Sequence, residues 1–536
     1  MAEMETEIIE TQPFNSLKEL YNNVDNLNPW PYIKELREST EYMYCGIDVN
    51  NQKINLEKVN KDSQPKTLLC HDMKGGYLDD RFIHGTESHN SYLFYHWSVI
   101  DTFVYFSHHF ITIPPHGWIN AAHEHGVKVL GVIITEREGI WESILESQET
   151  ARRFAEALIH IAKFYKFEGW LMNVENEIKS EHVNNLIYFM KYLTERIHAE
   201  IRDAEIIWYD SVVNEGKLKW QNELNDKNID FFLNCDGIYL NYNWTRSKLE
   251  NSCMLAKREN RNIQDIYVGL DVWGRGCPGD GGFNSAFALE QIRQQGLSVA
   301  IFASGWTHEF FGPKTFYELE NMFWAQLFPY LYIHVPIYEG EVFETSFCRG
   351  IGSSYYRSGE MQLEVRVVEG KTIYEKKSFY NLSLQKPQIS VAVPHLRFTH
   401  FPNLPDPKKE NDEKAHSKET TEYVYETKKN ILRILGNVAT IENKSSMLDT
   451  NYLEFYDRLS YDGGGCLKLI TNDPRSYHRL FLIHVEFQQD IQATIVYKEI
   501  ESAVVNLGRS EPILIIGNDA GLKSILPYKL ENLASN

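Results

Sequence analysis

Between residues 67 and 305 the chain repeats one figure: a short apolar run rich in β-branched residues, a polar turn, then a longer stretch with apolar residues three or four apart. That alternation is the pattern of strands followed by amphipathic helices. The strand candidates are TLLCHDM (67–73), VIDTFVYFS (99–107), VKVLGVIIT (127–135), GWLMNVEN (169–176), EIIWYDS (205–211), GIYLNYN (237–243), IYVGLDVW (266–273) and VAIFASG (299–305). Helical spacing is clearest in ETARRFAEALIHIAKFYKF (149–167) and NNLIYFMKYLTERIHAEI (184–201). Eight β/α units over about 250 residues predict an α/β fold of the (β/α)₈ TIM-barrel type. A doubly wound open sheet is the alternative, but it has no need of so many strands ending in polar residues.

Those strand ends carry His71 and Asp72, Ser107 with His108, Thr135 and Glu136, Asn173 and Glu175, Tyr209 and Asp210, Asn241 and Asn243, and Asp271 and Trp273. In such barrels the C-terminal ends of the strands form the active face. After about residue 345 the texture changes to short β-rich segments such as KTIYEKKSFYNLSL, YVYETKKNILRILG and HRLFLIHVEF, as in C-terminal β-sandwich modules. The expected division is an N-terminal extension (1–64), the catalytic barrel (65–345), a β-rich module (346–430) and a second β-sandwich module (431–536). Residues 402–422, nearly free of apolar side chains, read as a charged loop or linker within the third part.

Composition narrows the partners. At 536 residues the chain is too long for one core, and a net charge of −20 argues against nucleic acid or an anionic membrane, both of which need a basic surface. A neutral ligand is the better expectation. No run reaches the 18 or so apolar residues of a membrane helix, and the acidic start lacks the apolar core of a signal peptide. Seven scattered cysteines without a CxxC pair fit free thiols in a reducing compartment. Of the three N-x-S/T sequons, at Asn243, Asn381 and Asn443, the first stands at a strand end where glycosylation would block the site, so the cytosol is expected.

The run GWLMNVENEI (169–178) concentrates the chemistry. Side chains alternate across a strand, so Asn173 and Glu175 share one face, about 6.6 Å apart along the chain at roughly 3.3 Å per residue. A partly buried Glu175 has its pKa raised, which suits a general acid protonating a leaving oxygen. Two-carboxylate glycosidases need a second acid as nucleophile or base. Here the same-face neighbour is an amide, which hydrogen-bonds a substrate but cannot attack it. That combination points to substrate assistance, in which the 2-acetamido oxygen of an N-acetylglucosamine attacks its own anomeric carbon to give an oxazoline. Asp210 reads either as a hydrogen-bond partner behind the site or as a helix N-cap. No metal is expected from His108, His109, His123 and His125, because i, i+2 spacing at a helix end puts rings on different faces. GRGCPGDGG (274–282) lacks the lysine and helix of a phosphate loop, so no cofactor is expected either.

The runs LLCHDMKGGYLDDRF, YHWSVIDTFVYFSHH, TIPPHGWINAAHEHGVKVLG, GWLMNVEN, WYDSVV, LKWQNELN, CDGIYLNYNW and YVGLDVWGRG, in this order over roughly residues 65–350, resemble the cytosolic endo-β-N-acetylglucosaminidases of glycoside hydrolase family 85. The resemblance implies retaining, oxazoline-forming cleavage of the β-1,4 bond in the N,N'-diacetylchitobiose core of N-glycans or free oligosaccharides, with transglycosylation as a variant. It implies that Asn173 orients the acetamido group, Glu175 is the acid/base and Tyr209 hydrogen-bonds near the acetamide. Trp220 and Trp244 resemble the aromatic walls, with Asn243, Asp271, Trp273 and Trp306 as further substrate contacts. Beyond about residue 350 the likeness is architectural only. A chitinase-like hydrolase is expected to carry aspartate where Asn173 stands, and a non-catalytic glycan binder has no need of Glu175.

Overall fold

The computed structural model describes residues 9–48, 53–136, 139–339, 342–390, 422–426, 430–435, 438–443, 452–470, 480–486, 492–498, 514–518 and 521–525. All but the last residue of the charged stretch 402–422 lies outside them.

Each of the eight apolar runs forms a strand: β1 (Thr67–His71), β2 (Thr102–Tyr105), β3 (Lys128–Thr135), β4 (Gly169–Val174), β5 (Glu205–Tyr209), β6 (Gly237–Leu240), β7 (Ile266–Asp271) and β8 (Ser298–Phe302). Each pairs in parallel with the next, and β8 returns to β1, which closes the expected (β/α)₈ barrel. The runs are nearly continuous in apolar residues because both faces of every strand are buried. Leu68, Val104, Val132, Leu171, Ile207 and Ala300 fill the barrel interior, while their neighbours Leu69, Phe103, Ile133, Trp170, Ile206 and Ile301 pack under the helices.

Local signals set the helices. Gln148–Tyr165 begins at a capping box between Ser147 and Thr150, and ends where Lys166 turns left-handed at φ 55. It packs beside Val183–Glu200, with the rings of Phe154 and Phe189 stacked 5.6 Å apart. At the N-terminal end of the barrel the buried Glu205 accepts hydrogen bonds from Tyr267 (2.7 Å) and Thr102 (2.9 Å) and lies 3.7 Å from Lys128 Nζ. Burial pushes its carboxyl up, but the lysines Lys128 and Lys66 and those hydrogen bonds outweigh it and bring the pKa down to about 2. One carboxylate thus ties four strands together.

The segment expected as an N-terminal extension is woven into the domain. Ser39–Asp48 pairs with Lys53–Val59 and with Tyr332–Glu339 beyond the barrel, and Glu10 and Phe14 bridge to Phe82 and Ile111. Past residue 350 most described strands form short antiparallel sheets, among them Leu363–Val368 with Lys371–Lys376 and Glu422–Glu426 with Asn430–Leu435 and Val438–Asn443, while His484–Glu486 pairs in parallel with Tyr332–Glu339. Arg349 locks this region to the barrel, its guanidinium between the rings of Tyr95 (3.6 Å) and Phe455 (4.0 Å). Among the described residues no helix is long and apolar enough to cross a membrane.

Candidate active site

Asn173 is the last inward-facing residue of β4, and Glu175 stands one step beyond the strand end, its backbone N–H donating to Thr135 O at 2.8 Å. The pairing of Met172 with Trp208 sets Asn173 level with Tyr209 on the neighbouring strand. Asn173 is 5% exposed, and its Oδ1 is buried without a hydrogen-bond partner among the described residues. Such an orphaned acceptor costs on the order of 1–3 kcal/mol, so it marks a place where stability is given up.

Burial is the main influence on Glu175 and raises its pKa; the Trp220 indole N–H, within hydrogen-bonding reach, works the other way. Glu136 adds a raising contribution and His108 a lowering one, and these two face each other at 3.3 Å. Tyr209 is pushed well above the usual phenol range by burial and then by the Glu175 carboxylate, so it stays protonated. Its hydroxyl donates to Asn241 Oδ1 (2.9 Å); Asn241 Nδ2 and the Asn243 backbone N–H both donate to Asn222 Oδ1 (2.9 Å each).

Trp220 rides on the loop after β5. Asp210 lies beneath it, fully buried, accepting hydrogen bonds from the backbone of Gln221 and Asn222 and from Asn228 Nδ2; burial lifts its pKa to about 6 despite them. Of the two readings left open for Asp210, the hydrogen-bonding one matches the structure. Gly216 brings the same loop against the segment after Glu175: at φ 82 its N–H side turns toward Val213, and a Cβ there would meet Ile178 O at 2.1 Å.

The structure gathers Asn173, Glu175, Tyr209 and Trp220 at the mouth. Trp273 and Trp306, both half-buried, flank Phe310, whose ring stacks on Trp306 at 5.8 Å and meets Trp273 edge-on at 6.0 Å. Asn243 is exposed, and Gly276 approaches so closely that a Cβ would lie 2.1 Å from its Oδ1.

Two expected substrate contacts are corrected. Trp244 is 3% exposed, belongs to the core beneath the helices and donates its indole N–H to Gly269 O at 2.8 Å, so it presents no face to a sugar. Asp271 is fully buried and is taken up by its own loop, accepting from Arg275 Nε (2.7 Å), the Arg275 backbone (2.9 Å) and the Trp273 backbone (3.2 Å). Asn222 and Phe310 were missed. Phe310 carried a signal, standing four residues after Trp306 on one helix; Asn222 carried none beyond the tolerance of asparagine for its φ of 58. Of the histidines, His108 stands near the mouth, whereas His123 faces Glu168 at 3.1 Å at the other end of the barrel. Among the described residues no three His, Cys, Asp or Glu side chains converge as a metal site.

Residues 77–355, more than half of the chain, match glycosyl hydrolase family 85. The cytosolic endo-beta-N-acetylglucosaminidase of Homo sapiens is 47% identical over 298 residues, which is 54% of this chain and 39% of that protein. Cytosolic endo-beta-N-acetylglucosaminidase 1 of Arabidopsis thaliana is 41% identical over 265 residues, 49% of this chain and 38% of that one. The chain therefore spans less than half the length of these relatives. The glycoside hydrolase domain of Endo-D from Streptococcus pneumoniae superposes with a TM-score of 0.60 at 16% identity, covering 86% of this chain and 66% of that domain, a likeness of fold.

Proposed function

The chain belongs to glycosyl hydrolase family 85, and on that footing we propose that it is an endo-β-N-acetylglucosaminidase, cleaving the β-1,4 bond within the N,N'-diacetylchitobiose core of N-glycans. The observation that carries the mechanism is Asn173 Oδ1, a buried acceptor with no partner among the described residues, on the same strand face as a half-buried carboxyl two residues on. A 2-acetamido N–H supplies the missing donor. Held so, the acetamido oxygen is aimed at the anomeric carbon of its own sugar.

In the first step Glu175, kept protonated to higher pH by burial, gives its proton to the departing glycosidic oxygen while the acetamido oxygen closes the oxazoline. Tyr209, its hydroxyl proton committed to Asn241, presents the hydroxyl oxygen as an acceptor beside the acetamide. In the second step Glu175 takes a proton from water as it opens the ring; a sugar hydroxyl in place of water gives transglycosylation. Trp220, Trp273 and Trp306 supply ring faces for sugar C–H groups, with Asn243 at the rim. Trp244 and Asp271 act from behind, in packing and loop placement. No cofactor enters this scheme. The cytosol is the proposed compartment, since both relatives above carry that word in their names.

Incubation with high-mannose and complex N-glycopeptides, read by mass spectrometry, tests the reading. The expected product is peptide bearing a single N-acetylglucosamine; bare peptide or untouched glycopeptide refutes it. Glu175→Gln is expected to slow release by about 10² to 10⁴, the range for a lost general acid, with glycan binding retained.

A further inference from the structure

We propose that Asp210 is a positioning residue for this site: it clamps the loop 219–228 so that Trp220 stands against the Glu175 carboxyl. The inference rests on the reading above, in which Glu175 is the acid.

Asp210 directly follows Tyr209, so strand alternation turns it to the opposite side of the barrel wall. Burying a bare carboxylate there is costly unless hydrogen-bond donors meet it. The loop offsets that cost with convergent donors: Gln221 N at 3.0 Å, Asn222 N at 2.6 Å and Asn228 Nδ2 at 3.0 Å. On the other side of Trp220, Lys219 N donates to Ser211 O at 2.9 Å. Both chain neighbours of Trp220 are therefore pinned to the two residues that follow β5, while Trp220 itself is 42% exposed over the mouth. Asn222, left-handed at φ 58, also accepts from Asn241, the residue that receives the Tyr209 hydroxyl. Loop, tryptophan and tyrosine thus share one anchor. Only an acceptor-only group suits it, because an amide in its place turns an NH₂ toward N–H donors.

A double-mutant cycle decides the matter. Asp210→Asn is expected to lower kcat/KM on an N-glycopeptide by about tenfold or more in the wild-type background, but by under about threefold when Trp220 is already alanine. A merely structural aspartate gives the same penalty in both backgrounds, and that result overturns the proposal. If Asp210→Asn does not fold, Asn228→Ala takes its place in the cycle, since it removes the side-chain donor to Asp210 and leaves the carboxylate itself in place. Should the wild type cleave nothing, the enzymatic reading falls, and the clamp is then judged by amide exchange. The variant must speed exchange in residues 219–222 relative to the rest of the barrel; unchanged protection there overturns it.

Discussion

The Tyr209 hydroxyl donates to Asn241 Oδ1 across 2.9 Å, joining the ends of β5 and β6 beside Asn173. Tyr209→Phe removes that donor and leaves Asn241 Oδ1 short of one. The expected cost in stability is modest, about 0.5–1.5 kcal/mol by urea unfolding. If the hydroxyl also serves the acetamide, kcat falls by an order of magnitude or so. A kcat equal to wild type with the same small loss of stability would reduce Tyr209 to a strut.

Asn173→Ala should separate stability from function. Its amide oxygen has no partner among the described residues, so the variant is expected to be as stable as wild type or slightly more so. Glycopeptide hydrolysis should nonetheless collapse. A synthetic glycan oxazoline offered with a GlcNAc-bearing acceptor bypasses the first step and should restore transfer in this variant, but not when Glu175→Gln is added. Trapping with a 2-fluoro sugar and finding added mass on a barrel carboxylate would replace the oxazoline by a covalent glycosyl-enzyme.

Trp220→Phe tests the electrostatics of Glu175. Burial holds the Glu175 pKa up and the Trp220 indole N–H, by favouring the carboxylate, holds it down. A phenyl ring keeps most of the burial and loses only the donor, so the pKa rises further. The proton that the first step needs is then kept to higher pH, and the basic limb of the kcat/KM profile moves up. A downward move would mean that solvent entry outweighs the lost hydrogen bond.

Trp244→Ala should unfold before it fails to bind. Truncating a tryptophan in the core costs about 3–5 kcal/mol, here with Gly269 O left unpaired as well. Chemical denaturation should show that loss, while the folded fraction keeps a KM near wild type. A stable variant with a greatly raised KM would return Trp244 to the sugar face.

Much of this protein was legible in its sequence. The eight strands, the closed barrel and the shared face of Asn173 and Glu175 follow from apolar runs and from period-two alternation, which are local properties that each segment carries with it. The order of motifs along the chain pointed to the family for the same reason. What local pattern cannot express is which side of the wall a residue meets once the loops have closed. Trp220 and Trp244 looked alike in sequence, yet one stands over the mouth and the other in the core. Asp210 and Asp271 both end strands with a carboxylate, and each is used up by backbone donors from its own following loop. The pairing of Ser39–Asp48 with Tyr332–Glu339 spans nearly 300 residues, and no window along the chain contains it. Those outcomes were decided by the tertiary structure, because burying a polar group or an aromatic ring is settled by the partners that arrive from elsewhere in the chain.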